Sequence, residues 1–133
     1  MALVFVMDFK EVLDDYRERI LKILELLKDF LEEGDVNLLQ SAARLLINAG
    51  SETYGSFMAC NHAILAAMSL EAGARLNERV LEIGKRGLRG VDIEYVLDIY
   101  SLFKTIADAI GSGQYEEGYK VMMERRGASR RAR

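Results

Sequence analysis

An unbroken apolar repeat near the start of the chain is the sequence feature that most restricts its fold. Between residues 9 and 30, apolar side chains recur at alternating steps of four and three. The repeat consists of Phe9, Leu13, Tyr16, Ile20, Ile23, Leu27 and Phe30. This spacing places all of them along one side of an α-helix, with charged residues on the other side. We therefore predict a long helix over residues 8–33, with Asp8 as its N-cap and Gly34 just past its end.

Glycines and capping residues divide the rest of the chain. The sequence contains no proline, so only these residues can end a helix. They predict four more helices, over residues 36–49, 52–83, 92–110 and 114–125. Gly50 is expected to end the second of the five helices, and residues 84–90, with three glycines, to form an exposed loop. The pattern predicts an all-α fold, a single antiparallel helical bundle of about five helices.

The size and hydrophobic content of the chain fit one such bundle. It has 133 residues, half of them hydrophobic, which is enough for one core. We expect residues 1–124 to form the bundle domain and residues 125–133 to form a basic, disordered tail. The apolar run from Leu3 to Met7 is too short for a membrane span and lacks the pattern of a secretory signal, so no membrane association is expected. The single cysteine, Cys60, fits a reducing compartment, and the cytoplasm is the predicted location.

The charge of the chain is distributed unevenly. Its net charge is −3, but five arginines lie in the last nine residues, and without them 13 basic residues face 21 acidic ones, a balance of −8. A basic region on an acidic body can attract an anion or a nucleic acid. The candidate patch combines the 84–90 loop with the tail: Lys85, Arg86, Arg89, Arg125, Arg126, Arg130, Arg131 and Arg133. The alternative is that the loop is a solvated connector and the tail a disordered end without a ligand.

No group of residues in the sequence indicates catalysis or metal binding. His62 is the only histidine, which argues against His-rich zinc sites and the paired Glu-x-x-His motifs of di-iron bundles. We expect His62 to pack within the bundle and to bind no metal. Acidic pairs such as Glu11 and Asp14 lie on one helical face, but the predicted 52–83 helix carries no matching pair outside its start. The sequence thus predicts no catalytic residue, metal or cofactor, and it favours a non-enzyme.

The segment from Ala42 to Leu70 resembles the central helical hairpin of the HEPN superfamily. The matching residues are Ala42, Leu45, Leu46, Gly50, Ala59, Ala63, Ala66, Ala67 and Leu70. The resemblance implies an up-and-down bundle, usually dimeric, in a family of RNases, nucleotide-binding partners of nucleotidyltransferases and inactive relatives. The family's RNase motif requires an arginine shortly before the histidine, where this sequence has Gly55, Ser56 and Phe57. The resemblance therefore implies a binding-type member without nuclease activity.

Two functional hypotheses follow from these features. The first is a non-enzymatic helical bundle that self-associates, as a homodimer, and serves as a protein-interaction module. Its contact surface is expected to be the apolar repeat of the first helix or the small-residue faces of the 52–83 helix. The alternative is an RNA- or nucleotide-binding small subunit of a ribonucleoprotein complex that uses the 84–90 loop and the arginine tail. In topology and size the chain is also similar to small helical RNA-backbone-binding subunits of CRISPR effector complexes.

Overall fold

Five α-helices make up almost all of the chain that the structure describes. The structure is a computed structural model that describes residues 8–131, and residues 8–127 with their side chains. The helices are α1 (Phe9–Glu33), α2 (Val36–Ala59), α3 (Ile64–Arg86), α4 (Gly90–Gly111) and α5 (Gln114–Arg131). No strand occurs within residues 8–131. The prediction of an all-α helical bundle is confirmed.

Helix α1 begins and ends where its apolar pattern predicts. The Asp8 carboxylate accepts a hydrogen bond from the Glu11 backbone N–H at 2.8 Å, and Gly34 ends the helix in the left-handed region at φ 71°. That backbone conformation favours glycine because a side chain would be strained there. Within the apolar repeat, every residue from Leu13 to Phe30 is at most 2% exposed. The repeat therefore lies in the core of the chain's own bundle.

The predicted boundary between the second and third helices was wrong. Helix α2 continues through Gly50 to Ala59, and the chain turns at residues 60–63, where Asn61 has a φ of 56°. Gly50 faces helix α3 so closely that an added Cβ would lie 2.6 Å from the carbonyl oxygen of Ala66. Gly73 faces α2 in the same way, because its Cβ would lie 2.8 Å from the Ala43 carbonyl oxygen. These glycines permit close packing of two helices and do not reverse the chain.

Two other predicted helix boundaries also differ from those in the structure. Helix α3 continues to Arg86 and α4 begins at Gly90, so the predicted 84–90 loop shortens to Gly87, Leu88 and Arg89. Helix α5 continues to Arg131, so residues 125–131, where a disordered tail was expected, are helical. Residues 132–133, the end of the expected tail, lie outside the described residues.

The helices are not packed equally against one another. Helix α1 lies between α2 and α4, and α3 packs closely on α2. The consecutive helices α3 and α4 do not pack closely along their length, and α5 contacts the bundle mainly near its own first turns. One side of the bundle, between α3 and α4, is therefore open. None of the described helices has the length and hydropathy required to cross a membrane.

Candidate functional site

The open side of the bundle forms a groove between α3 and α4. Its apolar part has a volume of about 270 Å³ and lies between Met68 and Ala72 of α3 and Tyr95, Ile99 and Leu102 of α4. These residues recur every three or four positions on each helix, so each helix presents one continuous face to the groove. Leu102 is 43% exposed. Met68, Tyr95 and Ile99 are half-buried against the core, so the groove presents apolar surface that the chain covers only in part.

A charged part continues the groove toward the loop that joins α3 and α4. It has a volume of about 410 Å³ and is lined by Arg75, Glu78, Arg79, Glu82 and Tyr95. Arg75 and Tyr95 line both parts, so the groove is continuous. The Arg79 guanidinium lies 4.2 Å from the centroid of the Tyr95 ring, within the range of a cation–π contact. Acidic and basic groups thus alternate along this end of the groove.

The buried carboxylate of Asp92 joins α3 to α4 at the charged end. Asp92 is 0% exposed and accepts hydrogen bonds from Arg79 at 2.8 Å, from both terminal nitrogens of Arg86 at 2.9 Å, and from the Arg89 backbone N–H at 2.9 Å. The Arg86 guanidinium, followed by Arg79 and the Arg89 N–H, holds the pKa of Asp92 well below its usual range. The Asp92 carboxylate is fully buried, while the Arg79 and Arg86 side chains are each 23% exposed and Arg86 also donates to Glu82. We interpret this cluster as a structural clamp.

The structure does not bring the predicted basic patch together as one surface. Arg86 is bound to Asp92, while Lys85 and Arg89 are exposed at the same end of α3. Arg125 and Arg126 are exposed on α5, and Arg126 is close enough to His62, just before α3, to lower the pKa of that histidine. Because α3 has 23 residues, these two groups of cations are about 33 Å apart along the bundle.

The last three residues of the predicted patch are described only in part. Arg130 and Arg131 belong to α5 by their backbone, and Arg133 lies outside the described residues. The structure thus places three patch residues at the α3–α4 loop and two at the other end of the bundle, and it gives no side-chain position for the remaining three.

Aromatic side chains surround His62 at the opposite end of the bundle from the Asp92 clamp. The Nε2 atom of His62 is 2.5 Å from the Tyr115 hydroxyl, and the rings of Phe9, Tyr115 and Tyr119 meet the imidazole edge to face at 5.5–5.6 Å. Tyr119 also stacks on Phe9 and donates a hydrogen bond to the Cys60 carbonyl at 2.7 Å. These contacts hold α5 against the α2–α3 turn. His62 therefore packs among aromatic groups, as the sequence predicts.

A cavity of about 360 Å³ lies beside this aromatic cluster. Its lining comes from the α2–α3 turn, the end of α4 and one face of α5: His62, Ala109, Gln114, Tyr115, Gly118, Tyr119 and Met122. Burial, with a contribution from Arg126, lowers the pKa of His62, so the imidazole is neutral at neutral pH. Burial also raises the pKa of Tyr115 to about 12. The cavity is therefore uncharged. Sequence reasoning missed it because its lining comes from three separate segments.

Neither a metal cluster nor a known relative identifies the function. Among the described residues, no group of three or more His, Cys, Asp and Glu side chains could hold a metal ion. A comparison with protein-family models, curated proteins and solved structures finds no match to this chain. The α3–α4 groove and the His62 cavity are therefore the surfaces from which a function can be inferred.

Proposed function

We propose that the protein is a non-enzymatic, self-associating helical-bundle interaction module, and that two copies pair through the α3–α4 groove. The observation that carries the proposal is the partly uncovered apolar face of this groove, with half-buried Met68 on one wall and half-buried Ile99 and exposed Leu102 on the other. An apolar face of this kind is normally buried against another helix. Helix α3 and helix α4 do not close over it, because their closest contacts are at the Asp92 clamp and between Arg79 and Tyr95.

The groove replaces the two surfaces that the sequence suggested for self-association. The apolar repeat of α1 is buried within the chain's own core. Of the small residues on the predicted 52–83 helix, Gly73 is used where α2 and α3 meet, while Gly55 and Ala59 are exposed on α2 and Ala67 and Ala74 on α3. These exposed residues are divided between two helices, and the α1 repeat is accessible to a second copy only if the bundle opens, whereas the groove is accessible in the folded chain.

The charges along the groove suit a second copy of the same chain. Arg75 and Arg79 alternate with Glu78 and Glu82 on the α3 side of the charged part. In a dimer whose twofold axis is perpendicular to α3, the α3 helices of the two copies run antiparallel, so an arginine of one copy can face a glutamate of the other. A surface that selects a polyanion would carry one sign of charge. The mixed signs therefore favour a homodimer over nucleic acid at this groove.

The resemblance to the HEPN superfamily supports the same proposal. Members of that family are usually dimeric, and the segment from Ala42 to Leu70 carries the resemblance while the RNase motif is absent before His62. We accordingly propose a binding-type, HEPN-like role without nuclease activity. Cys60, the only cysteine, is half-buried at the α2–α3 turn, and a reduced structural thiol of this kind is consistent with the proposed cytoplasmic location.

Sedimentation velocity at micromolar concentrations tests the proposal with a matched pair of variants. Leu102→Glu places a charge in the groove. Leu97→Glu, the control, places a charge on the same helix but about 140° around its axis from Leu102. The two leucines are similarly exposed, Leu97 at 46% and Leu102 at 43%. We expect a dimer for the wild type and for Leu97→Glu, and a folded monomer for Leu102→Glu. A wild type that is monomeric at these concentrations, or an equal effect of the two variants, would contradict the proposal.

A further inference from the structure

The cavity beside His62 is apolar even though a histidine and two tyrosines line it. Three of their polar atoms already have partners. His62 Nε2 is paired with the Tyr115 hydroxyl, and the Tyr119 hydroxyl is bound to the Cys60 carbonyl. The lining also includes the thioether side chain of Met122 and one amide side chain, that of Gln114. Such a lining favours a planar, apolar group that can contact ring faces and edges.

Two arginines stand at the mouth of this cavity. A second cavity, of about 350 Å³, adjoins it on α5 and is lined by Val121, Arg125 and Arg126 together with Gly118 and Met122. Neither arginine forms an ion pair with another side chain that the structure describes. Guanidinium groups bind carboxylates and phosphates through paired hydrogen bonds. The arginines therefore favour the anionic part of a ligand whose apolar part lies beside His62.

Gly118 lies where the two cavities meet. It lines both of them, and a Cβ added to it would meet no heavy atom within 4 Å. No neighbouring helix therefore requires a glycine here, although glycine within a helix is less favourable than alanine. The missing side chain leaves the passage between the cavities open. The two cavities thus form one elongated, open space that is apolar beside His62 and has two arginines at its other end, and their volumes lie in the range of small-ligand pockets.

We infer that this space binds a planar aromatic anion, with its ring beside His62 and Met122 and its carboxylate or phosphate at Arg125 and Arg126. Aromatic carboxylates and nucleotides share this chemistry. The site is separate from the α3–α4 groove and does not depend on the pairing of two copies.

The absence of tryptophan from the chain makes a direct binding measurement practical. With excitation at a wavelength that tyrosine does not absorb, the fluorescence of indole-3-acetate can be followed despite the six tyrosines of the chain. AMP, the nucleotide probe, can be titrated by calorimetry. We expect saturable binding of at least one of these anions, and the stronger one identifies the ligand class. Uncharged indole should bind about tenfold more weakly than indole-3-acetate, because it lacks the group that the arginines contact. Two outcomes would overturn the inference. One is that neither anion shows saturable binding, and the other is that indole binds as tightly as indole-3-acetate while AMP does not bind.

Two variants locate the bound ligand. Gly118→Leu fills the passage between the cavities, and Arg126→Gln removes a cation at the mouth. Each should weaken binding of the preferred anion about tenfold while far-UV circular dichroism shows an unchanged helix content. The controls lie at the other end of the bundle. Gly84→Leu matches Gly118→Leu, because Gly84 is also a helical glycine at which an added Cβ would meet no heavy atom within 4 Å. Lys85→Gln matches Arg126→Gln, because Lys85 is also an exposed cation. Equal affinities of Gly118→Leu and Gly84→Leu would place the ligand elsewhere and overturn the assignment.

Discussion

The two sides of helix α3 differ in how they meet their neighbours. Toward α2, Gly50 and Gly73 let the backbones approach so closely that neither position has room for a Cβ. Toward α4, larger side chains such as Met68 and Tyr95 line an open groove, and contact is concentrated at the buried Asp92. The difference shows that residue size at the contact decides whether two helices close on each other or leave a surface for a partner.

The largest effect on the free energy of unfolding is expected at the close contact between α2 and α3. Gly73→Val should lower the free energy of unfolding by about 3 kcal/mol, because its Cβ would lie 2.8 Å from the Ala43 carbonyl oxygen, a backbone atom that cannot easily move. Urea unfolding followed by circular dichroism measures the change. Gly84→Val is the control on the same helix, since a Cβ there meets nothing within 4 Å. A similar loss in both variants would show that the valine, and not the contact, is responsible.

A smaller effect is expected at the Asp92 clamp. Asp92→Asn should lower the free energy of unfolding by about 2 kcal/mol at neutral pH. This loss is smaller than is usual when one partner of a fully buried ion pair is removed, because Arg79 and Arg86 remain partly solvated. The pKa of Asp92 is depressed in the folded chain, so its carboxylate stabilises the fold above the usual value of 3.8, and this contribution is lost as the pH falls below that value.

The pH dependence separates the clamp from a general packing effect. The difference in unfolding free energy between wild type and Asp92→Asn should be complete at neutral pH and should shrink in acid. Urea unfolding of both proteins on either side of the usual aspartate pKa measures it. A difference that stays constant across this range would show that the charge of Asp92 does not hold α3 to α4.

A single hydroxyl links α1 to the closely packed side of α3. The buried Tyr16 hydroxyl lies 2.5 Å from Ser69 Oγ and donates to the Leu65 carbonyl at 3.1 Å. Tyr16→Phe should cost about 1 kcal/mol of unfolding free energy, the usual net value of a buried hydrogen bond. Tyr54→Phe is the control, because Tyr54 is 42% exposed. Equal urea midpoints for the two variants would show that the Tyr16 hydroxyl does not help to position α3.

The smallest effect concerns the end of the bundle that α5 covers. Burial lowers the pKa of His62 in the folded chain, so the neutral imidazole contributes stability above its usual pKa of 6.5, and this contribution is lost as the pH falls below that value. We expect the thermal midpoint of the wild type to fall slightly more between neutral and mildly acidic pH than that of His62→Gln. Parallel pH profiles would show that His62 does not couple to folding.

Local sequence patterns were sufficient to predict five helices and the bounds of α1, but not the boundary between α2 and α3. The apolar repeat from Phe9 to Phe30, with Asp8 and Gly34 at its ends, predicted α1 because the period and the caps of a helix depend on residues within that helix. The all-α class followed from the same kind of pattern in the other segments. Gly50 was misinterpreted as a helix end because its role depends on Ala66 and Leu70, which lie on another helix.

The tertiary structure decided which residues act together. Arg86 was predicted as part of an anion-binding patch, but the fold pairs it with Asp92, while Arg126 of α5 lies at the opposite end of the bundle, near His62. The groove and the His62 cavity could not be predicted from the sequence either. Periodicity reports which face of a helix is buried, but it carries no information about which other helix supplies the neighbouring atoms. The groove and the cavity lie where helices do not close on one another, and that depends on side chains that are far apart in the sequence.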